Sequence, residues 1–313
     1  MKGEFHLIER LRRLTPASLH GAIPRGDDAG AVRVGGRLVL FTTDAIVEGV
    51  DFLLGKRGAR PEEIGHKALA VNLSDIAAMG AKPLAFVVAW GLPPQLSAGF
   101  IERMGKGMAR LAKRFRVAWV GGDLSRARKL FISIAMLGEA RPGEVVLRKG
   151  ARPGHWIYVT GTLGGSIRGK HLNFLPRIDE AKFLTRRFRP TAMIDVSDGF
   201  IQDLGHLLTS SRVGARIHLE RIPISGSARL QAREKGERSA LKGALTDGED
   251  FELLFTVSAR RARGLERAWK REFPRVPLSR VGQVIRGKSE EIEWVKDKRP
   301  VKLWFRKRGF THF

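Results

Sequence analysis

Four segments of the chain are rich in apolar and small residues, contain no Lys or Arg, and nevertheless carry carboxylates. They cover residues 38–55, 68–81, 190–211 and 243–259. Their acidic residues are Asp44, Glu48, Asp51, Asp75, Asp195, Asp198, Asp203, Asp247, Glu249, Asp250 and Glu252. A carboxylate in apolar surroundings is costly unless a cation compensates its charge. Helix caps, turns or distant arginines account for single members. The whole set predicts a site for Mg²⁺, because divalent cations of this kind prefer oxygen ligands.

The bulk composition narrows the classes of function. The 313 residues allow two domains, and the absence of Cys excludes disulfides, thiolate metal sites and a cysteine nucleophile. No apolar run approaches the length of a membrane span, and the N-terminus lacks a signal-peptide core. We therefore expect a cytoplasmic protein without a membrane partner.

The net charge of +25 permits three interpretations. They are nucleic-acid binding, attraction of small polyanions such as ATP, and a solvated basic surface. No zinc-finger, recognition-helix or RNA-binding motif accompanies the charge, so nucleic acid is not expected as a partner.

A helix is predicted over residues 61–79, with Pro61 in its first turn. Its second half is polar only at Asn72, Ser74 and Asp75. Asn72 and Asp75 are three residues apart and therefore share a face. This narrow polar stripe on an otherwise apolar helix indicates that the helix faces a metal or a substrate.

Three other elements end at or begin from polar or Gly-rich turns. A strand is predicted over 117–120, ending at a Gly-Gly-Asp sequence, and a helix over 200–210, capped by Ser197 or Asp198. The Gly-rich turn 161–166 either holds phosphate with its backbone N–H groups or is a plain tight turn.

Composition changes between residues 141 and 154, where Pro and Gly cluster. We place a domain boundary there, with one domain over residues 1–143 and a second over 144–313. Strands and helices mix in both halves, and no repeat of solenoid length is evident. The predicted fold class is therefore α/β (α+β), with two mixed α/β domains.

Taken in order, nine motifs resemble the thiamine-monophosphate kinase family. They are GDDAG (26–30), TTDAIVEGVDF (42–52), HKALAVNLSDIAAMGAKP (66–83), GGDLSR (121–126), LRKGARPG (147–154), VTGTLGGS (159–166), IDVSDGF (194–200), DGEDFELLFTV (247–257) and GFTHF (309–313). The match runs nearly end to end. This family shares a superfamily with aminoimidazole ribonucleotide synthetase, selenophosphate synthetase and a hydrogenase maturation factor.

The resemblance implies a homodimer in which strands of both N-terminal domains form a shared β-barrel, with ATP bound near the interface. It implies several Mg²⁺ ions as cofactors and ATP and thiamine monophosphate as ligands. By matching position, the metal contacts are Asp28, Thr42, Thr43, Asp44, Asp75, Asp123, Asp195 and Asp198. The ATP contacts are Gly122, Arg148 and Ser197, and the thiamine contacts are Asp51, Glu249 and Phe310.

The chain departs from the family at Asp51, where the family usually has His. An ionised Asp cannot donate a hydrogen bond to a phosphate, whereas His can. The thiazolium ring of thiamine is cationic. We therefore expect Asp51 to contact the thiazolium or a metal rather than the phosphate.

The function that the resemblance implies is ATP-dependent phosphorylation of thiamine monophosphate to thiamine diphosphate by direct in-line transfer. Such transfer relies on positioning and charge neutralisation. One alternative is another ATP-dependent synthetase of the superfamily, similar to aminoimidazole ribonucleotide synthetase. The other is a basic nucleic-acid-binding protein on an inactive scaffold. The branches that normally need a Cys do not fit this chain.

Overall fold

The computed structural model describes residues 4–14, 22–23, 25–56, 58–236, 239–303 and 309–310. The helices are α1 (Glu4–Arg12), α2 (Pro61–Ala78), α3 (Ala98–Phe115), α4 (Lys170–Asn173), α5 (Ile178–Arg187), α6 (Phe200–Ser211), α7 (Gly226–Glu234), α8 (Leu241–Thr246), α9 (Ala259–Ala262) and α10 (Leu265–Glu272). The strands are β1 (Gly30–Val34), β2 (Arg37–Val47), β3 (Lys82–Leu92), β4 (Ala118–Arg126), β5 (Phe131–Ala140), β6 (Trp156–Thr160), β7 (Ala192–Asp195), β8 (Gly214–His218), β9 (Leu253–Val257), β10 (Leu278–Ile285), β11 (Ile292–Lys296) and β12 (Arg299–Val301). No helix in these ranges is both long and apolar enough to cross a bilayer.

The first sheet has the strand order β1-β2-β5-β3-β4 and is antiparallel except between β3 and β4. Helices α2 and α3 pack on one of its faces. The other face carries exposed side chains, among them Phe41, Thr43 and Val87. Strands β1 and β4 lie at the two edges of this sheet and do not pair with each other. The described residues of one chain therefore form an open sheet and no closed barrel.

The second sheet has the strand order β12-β11-β8-β10-β6-β9-β7, and only β8 and β11 run parallel. Apolar residues of α6, including Leu204 and Leu208, belong to the core cluster on one side of it. Leu184 of α5 and Trp269 of α10 belong to the cluster that includes Tyr158 and Phe255. The chain therefore has a mixed α/β fold with two sheets.

Helix α2 connects the two sheets, because it contacts β2 and β5 of the first and β7 of the second. It also packs closely on α3. A Cβ at Gly65 would lie 1.9 Å from the Met104 carbonyl oxygen, so only Gly permits this approach. A helix that is covered on nearly every side has no polar face for solvent. The polar side chains in its interior turns therefore need partners inside the protein.

Two local predictions are wrong. Strand β4 does not stop at Gly121 but continues to Arg126. Gly122 permits close strand pairing there, because a Cβ would lie 2.2 Å from the Val88 carbonyl oxygen. Helix α6 is not capped by Ser197 or Asp198. Asp203, in the first turn, accepts from the amides of Asp198 and Gly199 at 3.1 and 3.0 Å instead.

Candidate metal and phosphate site

Three carboxylates from distant parts of the chain converge between the two sheets. One oxygen from each of Asp28, Asp75 and Asp195 lies within 4.8 Å of the other two. Asp28 precedes β1, Asp75 lies on α2, and Asp195 ends β7. Asp44 of β2 interacts with Asp75 and adds a fourth carboxylate. The polar stripe of α2 and the ends of strands from both sheets therefore meet at one place.

Mutual repulsion and burial perturb these carboxylates. Burial raises the pKa of Asp195 to about 8, and the nearby charge of Asp28 adds to the effect. Burial also raises the pKa of Asp75 well above its usual range, with further contributions from Asp44, Asp195 and Asp28. The pKa of Asp44 is raised chiefly by burial. Like charges held close in an apolar setting favour the protonated form unless a cation replaces the protons.

Neighbouring polar groups fix the orientation of the cluster. The Thr42 hydroxyl donates to Asp75, and the Ser74 hydroxyl donates to Asp195 Oδ2 at 2.5 Å. Asn72 Oδ1 accepts from the backbone amide of Asp44 at 3.1 Å. Each polar residue of the α2 stripe therefore belongs to the carboxylate site or contacts it.

Among the described ion pairs, the one that reaches this cluster joins Arg148 to Asp28. Arg148 Nη2 donates to Asp28 Oδ1 at 2.6 Å, and its backbone amide donates to Asp27 Oδ1 at 2.5 Å. The second Asp28 oxygen, Oδ2, is buried and has no hydrogen-bond partner in the described residues. A buried, unpartnered carboxylate oxygen next to two other carboxylates is the donor set that a hard divalent cation takes. The residues present therefore fit Mg²⁺.

A second group lies on the loop before α6 and on α6 itself. Ligand atoms of Asp198, Asp203 and His206 lie within 4.8 Å of one another. The Asp203 carboxylate already accepts from the backbone amides of Asp198 and Gly199. The side-chain amide of Gln202 donates to Asp198 Oδ2 at 3.0 Å. Asp198 also contributes to the raised pKa of Asp44, which places its charge near the first cluster.

Two of the predicted metal contacts lie on the other face of the first sheet. Side chains alternate along a strand, so Thr43 points away from the side that Thr42 and Asp44 share. Asp123 pairs in register with Ala89 on the exposed face of β3, and its carboxylate accepts from Ser125 at 2.8 Å. Neither side chain joins the clusters described above within one chain.

The predicted ATP contacts lie in three different elements. Arg148 touches the carboxylate cluster, as described above, while Gly122 is exposed on the edge strand β4. Ser197 lies in the loop after β7, where its carbonyl oxygen accepts from the amide of Glu249 at 2.6 Å. Arg148 and Ser197 therefore lie at or next to the carboxylate cluster, whereas Gly122 lies on the edge strand of the first sheet.

The predicted thiamine contacts Asp51 and Glu249 are linked by one lysine. Lys67 donates to the Asp51 carbonyl oxygen at 2.7 Å and to the Glu249 carboxylate. The Asp51 carboxylate accepts from the amide of Val47 at 2.7 Å, which closes a turn at the end of β2. Phe310 is partly exposed, and its amide donates to the Asp198 carbonyl oxygen at 2.9 Å.

Sequence reasoning missed Lys67, which directly precedes the Lys- and Arg-free segment 68–81. Lys67 lies seven residues before Ser74 on the same helix, so the two side chains share one face of α2. This spacing could have identified Lys67 as part of the site. The backbone donors of the Gly-rich segment 161–166 are partly taken by the protein's own carboxylates. Its Gly164 and Gly165 amides donate to Asp250 and Asp247 at 2.7 and 3.0 Å, so these donors are already in use.

Comparisons with known proteins give consistent results. The family described as AIR synthase related protein, N-terminal domain, matches residues 26–140. Thiamine-monophosphate kinase of Rhodopirellula baltica is 40% identical over 84% of this chain and 84% of its own length. The protein of that name from Salmonella typhimurium is 34% identical over 99% of this chain and 98% of its own. A solved structure of AaThiL complexed with AMPPCP and TMP has a TM-score of 0.82 at 30% identity, covering 99% and 97%.

Proposed function

This chain belongs to the thiamine-monophosphate kinase family, and we propose that it transfers the γ-phosphoryl group of ATP to the phosphate of thiamine monophosphate. The bond between the γ-phosphorus and the bridging β–γ oxygen breaks. A bond forms between that phosphorus and an oxygen of the acceptor phosphate, which gives ADP and thiamine diphosphate. The observation that carries the proposal is the convergence of Asp28, Asp44, Asp75 and Asp195 in a chain with the family's motifs.

The acceptor phosphate oxygen is already ionised near neutral pH, so this reaction has no need of a general base. The protein has to bring two polyanions together in line and offset their repulsion. Arg148 lies beside the carboxylates and presents a guanidinium fork suited to phosphate oxygens. The charge of Asp198, in the loop after β7, acts on Asp44 and so lies near the same cluster.

We propose that Asp28, Asp44, Asp75 and Asp195 hold Mg²⁺, with Asp198 at the edge of the same site. When bound, the ions supply charge neutralisation and orientation of donor and acceptor phosphates. Thr42 and Ser74 keep two of these carboxylates oriented through their hydroxyl groups. The AMPPCP in the related structure is a non-hydrolysable analogue of ATP, which supports ATP as the donor here.

The acceptor subsite is proposed at Asp51 and Glu249, with Phe310 beside Asp198. The carboxylates of Asp51 and Glu249 suit the positive thiazolium ring, and a partly exposed Phe310 ring can stack on a pyrimidine. The TMP in the related structure supports an acceptor of this kind.

We further propose that the chain acts as a homodimer, with domains over residues 1–143 and 144–313. Every residue of β4 is exposed, and its Trp119, Val120 and Leu124 are large and apolar. An unpaired, apolar strand edge invites pairing with another strand unless something covers it. Pairing two copies at this edge would also extend the first sheet toward the shared barrel, which the open sheet of one chain lacks.

The direct test is to mix the protein with Mg²⁺, ATP and thiamine monophosphate and to separate the products by chromatography. We expect stoichiometric ADP and thiamine diphosphate. Asp44→Asn should lower turnover by about 100-fold or more, because one carboxylate of the proposed metal site loses its charge. Asp179→Asn, on the exposed first turn of α5, is the matched control and should leave turnover unchanged.

Two outcomes contradict the proposal. Turnover of the substrate of aminoimidazole ribonucleotide synthetase, without thiamine diphosphate formation, would assign the chain to the sibling synthetase. RNA binding with steep salt dependence and no ATP turnover would indicate an inactive scaffold.

A further inference from the structure

Lys67 has its ammonium group enclosed between two distant parts of the chain. Its side chain is 1% exposed, and its Nζ donates to the Asp51 carbonyl oxygen at 2.7 Å and to the Glu249 carboxylate. These acceptors are 16 and 182 residues away along the sequence. A buried ammonium is strongly unfavourable unless it is paired. The fold is therefore stable with this side chain only when both acceptors are in place.

The loop that carries Glu249 is held in a strained conformation. Glu249 has φ of 62° and Phe251 has φ of 50°, in the left-handed region that residues with a Cβ rarely adopt. Such strain persists only where surrounding contacts impose it, and it is concentrated at functional sites. The amides of Glu249 and Phe251 donate to the carbonyl oxygens of Ser197 and Val196 at 2.6 and 2.7 Å.

Helix α2 supports this loop with two consecutive residues. His66 Nε2 lies 2.7 Å from the carbonyl oxygen of Phe174, whose ring stacks on Phe251 with centroids 4.0 Å apart. Lys67 reaches Glu249 two residues earlier in the same loop. Because α2 also carries Asp75, one rigid helix sets the position of the strained loop relative to the carboxylate cluster.

We propose that Lys67 is a positioning residue for the acceptor substrate. It fixes the Asp51 turn and Glu249 relative to each other, and it partly neutralises Glu249 so that two carboxylates can share one subsite. Lys67 does not touch the substrate, because its ammonium is enclosed and its hydrogen bonds go to Asp51 and Glu249. The proposal rests on the proposed function for the identity of the acceptor.

The test compares Michaelis constants for the two substrates in Lys67→Met and Lys67→Gln. Lys67→Gln keeps a hydrogen-bond donor and carries the test if the Met variant does not fold. We expect KM for thiamine monophosphate to rise about tenfold or more while KM for ATP changes by less than about twofold. Lys82→Met is the matched control, because Lys82 forms an exposed pair with Glu139, and both constants should stay unchanged.

A double-mutant cycle with Glu249→Gln separates positioning from a general loss of structure. If Lys67 acts through Glu249, the effects of Lys67→Gln and Glu249→Gln on KM and on Tm will not add. Additive effects, or equal rises in both KM values, overturn the proposal. If the wild type forms no thiamine diphosphate, the proposed function fails. The Tm cycle then still decides whether Lys67 and Glu249 are coupled.

Discussion

Arg148 donates twice to a single oxygen of Asp28, from Nη2 at 2.6 Å and from Nε at 3.3 Å, and leaves the other Asp28 oxygen buried and unpartnered. One guanidinium therefore compensates one carboxylate of a group that also contains Asp75 and Asp195. Burial is the main cause of the raised pKa values in the cluster, and the remaining negative charge adds to it. That charge also leaves a place for a second kind of cation.

Arg148→Gln is expected to destabilise the metal-free protein by about 3 kcal/mol, because the buried Asp28 carboxylate loses its partner. Mg²⁺ should then raise Tm more in the variant than in the wild type, since the cluster carries one more uncompensated charge. Thermal unfolding across a Mg²⁺ titration measures both effects. Arg152→Gln, at an exposed neighbouring position, is the control. Equal Mg²⁺ shifts in all three proteins would show that Asp28 takes no part in metal binding.

The stability of the metal-free protein should fall as pH rises from about 4 to about 8. Asp195 has a pKa of about 8 in the folded chain, against an ordinary value near 3.8. Between these values the native state holds a proton that the unfolded state has lost, so unfolding becomes easier with rising pH.

Asp195→Asn imitates the protonated form and isolates this effect. In EDTA at pH 8 we expect the variant to be more stable than the wild type by on the order of 3 kcal/mol. At pH 4 the difference should largely vanish. Urea unfolding at several pH values provides the measurement. A wild type that gains stability between pH 5 and 8 relative to the variant would contradict the assignment.

Binding of Mg²⁺ near pH 7 should release protons. A metal takes deprotonated carboxylates, and Asp195 is largely protonated at that pH in the metal-free protein. Calorimetric titrations in two buffers with different ionisation enthalpies report the number of protons released. We expect up to about one from Asp195 at pH 7, falling above pH 8.5, and less release in Asp195→Asn. Buffer-independent heats at pH 7 would mean that the ion binds elsewhere.

The convergence of carboxylates could be predicted from the sequence, because acidic residues in apolar segments without Lys or Arg can be recognised within each segment. Asn72, Ser74 and Asp75 on one apolar helix already indicate that the helix faces a polar centre. Once residues 42–44 are assigned to a strand, the alternation of side chains also predicts that Thr43 and Asp44 point to opposite faces of the sheet. The ion pairs between distant segments could not be predicted in this way, because their partners are more than a hundred residues apart in the sequence. The Arg148–Asp28 pair and the Lys67–Glu249 pair are of this kind.

Local turn residues misled the prediction at two places, the end of β4 and the start of α6. Gly121 and Gly122 look like a strand end, but the close approach to β3 makes Gly122 a strand residue. Ser197 and Asp198 look like helix caps, but Asp203 from inside the helix takes that role. The reason is long-range for Gly122, which lies against the neighbouring strand, and local for α6, where Asp203 is four and five residues after the amides that it accepts from.

Asp51→His is expected to raise KM for thiamine monophosphate by about tenfold, the equivalent of one good charge-assisted contact. The Asp51 carboxylate accepts from the Val47 amide, so its position beside Glu249 is fixed by the turn. Asp51→Asn keeps the turn acceptor without the charge and separates the two contributions. Steady-state kinetics with both substrates makes the comparison. A His variant with wild-type turnover and unchanged affinity would remove Asp51 from the thiazolium contact.

The edge strand β4 provides the test of assembly. Val120 is 63% exposed and Leu124 is 67% exposed, and neither has a covering element in the described residues of this chain. Val120→Lys with Leu124→Lys places two charges on the proposed interface, where they oppose strand pairing. We expect the wild type to have the mass of two chains by light scattering, and the double variant the mass of one. Leu230→Lys, on an exposed position of α7, is the matched control and should remain dimeric. A wild type that is monomeric at all concentrations, or a double variant that stays dimeric, would rule out β4 as the interface.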